Sequence, residues 1–358
     1  MNTKENPFGA KKMSDVLREG LQYINDRRTG RVKSFRTPWT GLNYAGIGGL
    51  EWGSMLTIGA RPGMGKTMIV SQILRESRLH NPDQDFSILE FQFEMGDKQY
   101  AARQFAAEVA MDYNHVLSSH KQLDDFAYSL MEKYLADTVA LEKLGVQRQL
   151  IGKPMTVSDI EKSIRFYYEA MGAKPMVVTI DHSWLIKKGS GDKDKFDVLY
   201  NTAEMLMQVK NELPIIVLMI TQMNRTMEEA SRTHPGQVAN YPTSGDIFGG
   251  DALMQSSDMV VAVNRPFKAN INIYGPKKWI THTNQIFLHI LKARNGSMDN
   301  NILFFNAEFN RGKMIETIEP QVAQNNPGYV PFAQSRTNTG GNNTNPRRQV
   351  SADIGDEL

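Results

Sequence analysis

The 358-residue sequence predicts an α/β fold with a doubly wound, mainly parallel sheet and a C-terminal β-hairpin. The first observation is that short apolar runs alternate with segments of helical periodicity from about Thr40 to Pro320. The second is that several of these runs are almost continuously apolar, as expected for parallel strands covered by helices on both faces. The third is an Asn-Gly dipeptide between two late apolar runs, which favours a hairpin turn.

The individual elements follow from these patterns in chain order. The strands of the parallel sheet are predicted at 55–59, 86–93, 176–181, 215–221 and 258–263. Connecting helices are predicted at 97–111, 120–135, 156–172 and 197–212. The strands of the hairpin are predicted at 284–292 and 301–306.

The sequence divides into three parts. Residues 1–34 form an arm with one predicted helix from Ser14 to Arg28, and residues 35–320 form the main domain. Residues 321–358 are rich in Asn, Gln, Thr, Gly and Pro, which predicts a disordered tail. The helix of the arm carries an apolar stripe that either packs on the domain's own core or docks on a neighbouring subunit. The stripe consists of Leu17, Leu21 and Ile24.

The composition excludes several classes of protein. Without cysteine the chain has no disulfide, thiolate metal site or cysteine nucleophile, and a reducing cytoplasm is the expected compartment. The seven histidines lack the spacing of metal ligands, and we find neither a long apolar run nor a secretory signal, so no membrane contact is expected. Because the net charge is only +2, any contact with nucleic acid must come from local basic loops.

A glycine-rich segment between the first predicted strand and an apolar helix has the pattern of a phosphate-binding loop. Its residues are Ala60, Arg61, Pro62, Gly63, Met64, Gly65, Lys66 and Thr67, with Ala60 where the general pattern has glycine. Backbone N–H groups can wrap a triphosphate, Lys66 can reach the β and γ phosphates, and the Thr67 hydroxyl can ligate Mg²⁺. The alternative is a glycine-rich turn without a ligand, but the flanking strand and helix favour binding. We therefore predict ATP and Mg²⁺ as ligands.

Polar residues follow or end three predicted strands, where ligands of open α/β sheets bind. Asp181 ends an apolar strand and is the predicted Mg²⁺ residue, acting through the water shell of the ion. Glu94 is preferred over Glu90, which lies earlier in the same strand, as the residue that activates the attacking water. Gln222 is predicted to sense the γ-phosphate. The alternative for each is an ordinary polar residue at a strand end.

Lys292 and Arg294 lie near the predicted hairpin turn, and strand alternation puts them on the same face. Basic residues in this position are usually solvated or protect a sheet edge. The other interpretation is an arginine finger and its helper that reach the ATP of a neighbouring subunit.

Together these segments resemble the RecA-like motor domain of DnaB-type replicative DNA helicases, in unbroken order over about residues 35–320. The matching segments are the phosphate-binding loop, Phe91-Gln92-Phe93-Glu94-Met95, Val178-Thr179-Ile180-Asp181, Thr221-Gln222-Met223-Asn224-Arg225 and Lys292-Ala293-Arg294-Asn295-Gly296. The roles implied by the resemblance are phosphate binding (Lys66, Thr67), the catalytic glutamate (Glu94), the Mg²⁺ aspartate (Asp181), the sensor (Gln222) and a pair inserted in trans (Lys292, Arg294). The implied activity is ATP-driven 5′→3′ translocation on single-stranded DNA by a hexameric ring.

The sequence departs from the family pattern in three places. Family members usually carry an N-terminal helical domain that contacts primase, and only about forty residues precede the motor here. We therefore expect a phage or mobile-element version without that domain. Primase, a loader and a single-strand-binding protein are candidate partners. His182 stands where the family favours tyrosine, with little expected effect, and residues 111–150 align weakly.

Two loops are candidates for DNA contact. The first basic loop, residues 185–197, follows the strand of Asp181, and the second basic loop, residues 225–246, follows the strand of Gln222. Their candidate phosphate contacts are Lys187, Lys188, Lys193, Lys195, Arg225 and Arg232. Such charge runs are usually solvated, but each loop here follows a nucleotide-sensing strand, which favours DNA binding without sequence preference.

Two other classes of protein fit parts of the pattern. A RecA-fold recombinase or mediator ATPase binds DNA as a filament without unwinding it, and the late position of Arg294 argues against this class. A P-loop assembly protein, such as a loader, has no motor activity. Unwinding of a forked duplex, compared with ATPase activity alone, separates the three.

Overall fold

The computed structural model describes residues 10–233, 241–298 and 301–323 of the chain. Within these ranges nine strands form one sheet and two short strands form a separate pair. The strands are β1 Ser54–Ala60, β2 Ser87–Gln92, β3 Arg148–Ile151, β4 Met176–Asp181, β5 Ile215–Gln222, β6 Met259–Asn264, β7 Ile273–Tyr274, β8 Trp279–Ile280, β9 Gln285–Ala293, β10 Ile302–Glu308 and β11 Lys313–Thr317.

The large sheet has the strand order β11-β10-β9-β6-β1-β5-β4-β2-β3. From β6 to β3 the neighbouring strands are parallel. On the other side, β9, β10 and β11 are antiparallel to their neighbours. The predicted α/β class, the five parallel strands and the C-terminal hairpin are therefore confirmed.

The structure also contains strands that the sequence did not predict. β3 has four residues, none of which is fully buried, so no apolar run marks it. β11 is an edge strand in which buried Met314 lies between exposed neighbours. β7 and β8 have two residues each, which is too short for any periodicity to be read.

Helices connect the strands and cover the sheet. They are α1 Met13–Arg28, α2 Thr40–Ala45, α3 Lys66–Arg75, α4 Ser77–His80, α5 Asp97–Glu108, α6 Tyr113–Val116, α7 Asp125–Lys143, α8 Val157–Ala170, α9 Lys195–Glu212, α10 Ala230–Thr233 and α11 Gly250–Ser256. The prediction of a helix over 120–135 was misplaced, because the Asp124 carboxylate accepts a hydrogen bond from Ala127 N at 2.6 Å and caps α7 at that point.

Strand β5 shows why the parallel strands are apolar along their whole length. Its side chains alternate between two apolar layers on opposite faces of the sheet. One layer, with α3, holds Ile216, Leu218 and Ile220, and the other, with α8 and α9, holds Ile215, Val217 and Met219. Both faces are covered, so neither tolerates the polar alternation of a solvated strand.

Helix α1 lies on the surface, and none of its residues is buried. Leu17, Leu21 and Ile24 of the predicted stripe are 66%, 69% and 62% exposed. The expectation that this stripe packs on the domain's own core is therefore wrong. The end of the helix is held by an ion pair between Arg27 Nη1 and Glu51 Oε1 at 3.2 Å, which leaves the apolar face open.

The predicted domain boundary at residue 320 falls inside a packed segment. Ile280 N donates to Gln321 O at 2.8 Å, and Val322 pairs with Trp279 in an antiparallel bridge. The predicted tail lies outside the described residues from 324 onward.

His289 on β9 is a buried histidine in a hydrogen-bonded chain. Asn264 Nδ2 donates to the Tyr274 hydroxyl at 3.0 Å, and that hydroxyl lies 2.8 Å from His289 Nε2. Because Asn264 supplies a donor to the hydroxyl, the hydroxyl proton is free to point at a neutral imidazole. Burial lowers the pKa of His289 to about 3.

Acidification from pH 7 to pH 5 is expected to destabilise the fold through His289. The unfolded chain protonates this imidazole near its ordinary pKa of 6.5 and the folded chain only near 3, so the unfolded state binds more protons between these values. The loss at pH 5 is about 2 kcal/mol. Urea unfolding should show a smaller loss for the non-titrating variant His289→Gln than for the wild type. Equal losses in the two proteins would exclude His289 as the cause.

Candidate nucleotide-binding site

The phosphate-binding loop connects the carboxyl end of β1 to the start of α3. Gly63 has φ 72° and Gly65 has φ 106°, a left-handed conformation that only glycine adopts without strain. The glycines of the motif are thus required by the backbone path that leads Lys66 and Thr67 into the first turn of α3.

A cavity of about 480 Å³ lies against this loop, a size suited to a small-molecule ligand. Predicted site residues on its wall are Pro62, Gly63, Gly65, Lys66, Thr67, Glu94 and Gln222. Among the other residues of the loop, Ala60 is fully buried in β1 and Met64 is buried as well. The cavity therefore brings together residues from the ends of three separate strands.

Asp181 lies beside the loop at the end of β4. The Thr67 hydroxyl donates to Asp181 Oδ2 at 2.9 Å, and Gln92 Nε2 donates to the same oxygen at 3.3 Å. Asp181 Oδ1 is buried and makes no hydrogen bond to any described residue. A hydroxyl next to a carboxylate with one uncommitted oxygen is a donor set that fits Mg²⁺.

Burial shifts the pKa values of the two charged groups deepest in the site. It raises the pKa of Asp181, opposed by the hydrogen bonds from Thr67 and Gln92. It lowers the pKa of Lys66, opposed by the charges of Asp181 and Glu94. Each charge is therefore costly until an opposite charge is bound. A triphosphate with its Mg²⁺ would bring negative charge to Lys66 and positive charge to Asp181.

The carboxylates of Glu90, in β2, and of Glu94, just after β2, have different surroundings. Glu94 is exposed on the cavity wall, with its Oε2 atom 4.0 Å from His182 Nε2. Burial lowers the pKa of His182, which keeps this imidazole neutral. Glu90 is buried and accepts hydrogen bonds from Arg148 and from the Tyr100 hydroxyl. Of these two carboxylates, only Glu94 lines the cavity.

Arg61 is a loop residue whose side chain turns away from the cavity. Its guanidinium binds Glu228 and the carbonyl of Met223 in the segment after β5 and does not line the cavity wall. The predicted contact of Arg61 with the nucleotide would therefore have to come from its backbone.

Lys292 and Arg294 lie at the opposite end of the sheet from the phosphate-binding loop. β6 pairs with β1 from Leu56 opposite Met259 to Ala60 opposite Val263, and Met259 also pairs with Ala293 of β9. Ala293 is therefore level with Leu56, four residues or about 13 Å before the end of β1.

Both basic side chains turn towards α11 and the segment that follows it. Lys292 Nζ donates to Met254 O at 2.5 Å, and Arg294 Nη2 donates to Gln255 O at 3.1 Å. Arg294 Nη1 also forms an ion pair with Asp258 Oδ1 at 3.0 Å, although about half of the Arg294 side chain is exposed. The two residues share one face, as predicted, and that face is remote from the chain's own cavity.

Some basic side chains of the two loops are exposed, and others are held by hydrogen bonds or ion pairs. Lys187, Lys193 and Arg225 are exposed. Lys188 Nζ donates to Lys193 O at 2.5 Å, and Lys195 Nζ donates to Ile186 O at 2.6 Å, so these two amines close the first basic loop. Arg232 forms a two-point ion pair with buried Asp246, so its predicted contact with DNA is not supported by its geometry. Residues 234–240 of the second basic loop lie outside the described ranges.

Sequence reasoning missed the residues on the far side of the cavity. The Arg265 guanidinium stacks on the Phe309 ring, 4.0 Å from its centroid, and both residues line the cavity. Lys268 Nζ donates to Gly63 O at 3.1 Å. Arg265 follows the carboxyl end of β6, where the strand-end rule could have found it. Phe309 belongs to no local motif.

Comparison with known proteins identifies the family. Residues 35–313 match the family described as DnaB-like helicase C terminal domain. The chain belongs to this family. The replicative DNA helicase DnaB of Haemophilus influenzae is 21% identical over 308 residues, which cover 85% of this chain and 61% of that protein. DnaB of Buchnera aphidicola subsp. Schizaphis graminum is 23% identical over 302 residues, covering 81% and 59%. The chain thus spans about three fifths of the length of these relatives.

Two solved structures share the fold. The first is an isolated ATPase domain, which aligns with a TM-score of 0.69 at 16% identity and covers 86% of this chain and 100% of that chain. The second is a DnaB-like replicative helicase, described with its interactions with primase, which aligns with a TM-score of 0.67 at 15% identity, covering 86% and 67%. This likeness confirms the RecA-like class of the sheet. In the part of the chain that the structure describes, no helix is long and apolar enough to span a membrane.

Proposed function

We propose that this DnaB-like domain is the motor of an ATP-dependent replicative DNA helicase that translocates on single-stranded DNA as a ring. The observation that carries the proposal is that one edge of the sheet brings together the groups that this chain itself would supply for phosphoryl transfer. The set consists of Lys66, Thr67, Glu94, Asp181 and Gln222.

In this proposal each residue has a separate task in ATP hydrolysis. The loop N–H groups and Lys66 bind the β and γ phosphates, and Glu94 accepts a proton from the attacking water. Gln222 hydrogen-bonds to the γ-phosphate, and the loss of this bond on hydrolysis changes the position of the second basic loop. Mg²⁺, held by Thr67 and through water by Asp181, would neutralise charge on the transferring phosphoryl group.

A ring is proposed because Arg294, the predicted arginine finger, is remote from the site of its own chain. It lies at the far end of the sheet, and no small adjustment brings it to that cavity. A neighbouring subunit that turns this end of its sheet towards the cavity would bring its own Lys292 and Arg294 to the bound ATP. The open apolar stripe of α1 gives such a neighbour a surface to bury. We propose six subunits and 5′→3′ movement by analogy with the family.

The proposal includes single-stranded DNA as a partner and the cytoplasm as the compartment. Primase is a further candidate, since one structurally similar helicase was described together with its interactions with primase. A loader and a single-strand-binding protein are candidates through the same family analogy.

Replacing the exposed residues Lys187, Lys193 and Arg225 together by alanine is expected to weaken binding to single-stranded DNA and to flatten its salt dependence. Each lost phosphate contact lowers the slope of log K against log salt by about 0.7. The same measurement on the triple variant of the exposed lysines Lys121, Lys133 and Lys143 provides a control with equal charge loss. If the two triple variants have the same salt slope, the basic loops do not contact phosphates.

Unwinding of a forked duplex is the experiment that tests the proposed function. A helicase motor separates the strands with ATP, and its ATPase rate rises with single-stranded DNA. A recombinase or mediator would bind DNA and hydrolyse ATP without separating the fork, and an assembly ATPase would show no unwinding. Absence of strand separation by an assembled, ATP-hydrolysing protein would reject the helicase proposal.

A further inference from the structure

Arg61 links the phosphate-binding loop to the segment after β5. Its Nε and Nη2 atoms donate to the two carboxylate oxygens of Glu228, each at 2.8 Å, and its Nη1 atom donates to Met223 O at 2.9 Å. Only 12% of the Arg61 side chain is exposed. A bidentate pair between arginine and a carboxylate fixes orientation as well as distance.

Both ends of this link belong to parts of the molecule that the proposed function uses. On one side, the two residues that follow Arg61 line the cavity. On the other side, Met223 directly follows Gln222, which also lines the cavity, and Met223 N donates to Ala60 O at 3.2 Å. Glu228 is the last residue of the 3₁₀ helix Arg225–Glu228, which begins the second basic loop. One side chain therefore spans from the loop expected to hold the phosphates to the loop expected to hold DNA.

The 3₁₀ helix depends on contacts outside itself. It has four residues, too few for its own hydrogen bonds to keep it in place. Met227 is its one buried residue and belongs to an apolar cluster with Met223 and Ile247. The charged anchor is Glu228, and the hydrogen bonds from Arg61 hold the pKa of Glu228 below its usual range, so the pair stays ionised at neutral pH. Glu228 ends the same four-residue helix that exposed Arg225 begins, so a displacement of Arg61 would be passed to the helix that carries Arg225.

We propose that Arg61 is a positioning residue that, through Glu228, couples the nucleotide state of the site to the placement of the second basic loop on single-stranded DNA. The proposal rests on the proposed helicase function and adds the route by which the cavity and the DNA contact communicate. The Arg61 guanidinium does not line the cavity, so a coupling role for this residue would act through the phosphate-binding loop rather than by contact with the nucleotide. An ion pair that only stabilised the fold would not alter the response of the ATPase to DNA.

Glu228→Gln in the full chain is the variant that tests the coupling. It keeps the size of the side chain but removes the charge and one acceptor oxygen of the two-point contact, and Glu228 lies outside the cavity. Glu228→Lys, which places like charges together, provides a second and stronger break. Glu204→Gln, the same change at an exposed position of α9, is the matched control.

The measurements are ATPase turnover with and without an oligo-dT strand, and the affinity for that strand with a non-hydrolysable ATP analogue or with ADP. In Glu228→Gln the stimulation of ATPase turnover by DNA should fall about fivefold or more. The ratio of the DNA affinity with the ATP analogue to that with ADP should fall by a similar factor. Both quantities should fall further in Glu228→Lys. Turnover without DNA and the KM for ATP should stay within about twofold of the wild type, as in Glu204→Gln.

Three outcomes would overturn the coupling. If both Glu228 variants respond to DNA like the wild type, the ion pair carries no signal. If basal turnover falls in parallel with stimulated turnover, the ion pair acts on the nucleotide site alone. A wild-type protein whose ATPase ignores DNA would reject the proposed function itself, and the coupling with it.

Discussion

The variant Lys66→Ala is expected to bind ATP weakly and to hydrolyse it at least about 10²–10³ times more slowly than the wild type. The Lys66 amine belongs to the phosphate-binding loop and lines the cavity, and alanine removes its charge without closing the cavity. The fold should survive, because burial already lowers the pKa of Lys66 and its charge is a cost to the isolated domain. Single-turnover hydrolysis and thermal unfolding measure the two effects separately.

Two further variants show whether the loss reflects the site or a general disturbance. Lys162→Ala removes an exposed lysine of α8 and should leave turnover unchanged. Glu94→Gln should bind ATP normally and lose turnover, because an amide cannot accept the proton of the attacking water. Glu90→Gln should lower stability rather than turnover, since it removes the buried negative charge that pairs with Arg148. Near-normal hydrolysis by Lys66→Ala would contradict the assignment of the loop.

The fold could be predicted from the sequence where burial produces a recognisable pattern of apolar residues. The apolar strands β1, β4 and β5 are covered on both faces, so nearly every residue in them reports its environment. β3 could not be predicted, since its half-exposed residues are held by pairing with β2, a long-range interaction without a local signal. The start of α7 was wrong because several polar residues precede the helix, and the structure uses Asp124 as its cap.

The candidate site was predictable to the extent that its residues end strands. Strand ends converge at one edge of a parallel sheet, so Asp181 and Gln222 could be placed next to the loop from sequence order alone. Side-chain direction was not predictable. Arg61 lies within the phosphate-binding loop, yet its side chain turns away from the cavity to Glu228. The side chain of Arg232 turns inward to Asp246. These directions depend on partners more than ten residues away along the chain, which no local pattern reveals.

Arg294→Ala is expected to bind ATP with wild-type affinity and to hydrolyse it about 10³–10⁵ times more slowly, the range for loss of an arginine finger. Because the residue lies at the far end of the sheet from its own cavity, a finger built on it would stabilise the transferring phosphoryl group of a neighbouring subunit. In this chain the guanidinium rests on Asp258 and Gln255 while about half of the side chain stays exposed. It is therefore held in place and accessible from outside.

Mixing Arg294→Ala with Glu94→Gln subunits distinguishes a finger acting in trans from one acting in cis. With random assembly, roughly one quarter of the interfaces pair an intact Glu94 on an Arg294→Ala subunit with an intact Arg294 from a Glu94→Gln subunit. These interfaces should recover ATPase activity that neither parent has. If Arg294 acted in cis, every subunit would still lack one of its own two groups, and no mixture could recover. Mixed rings as inactive as their parents, with subunit exchange demonstrated by labelled protein, would reject the trans assignment.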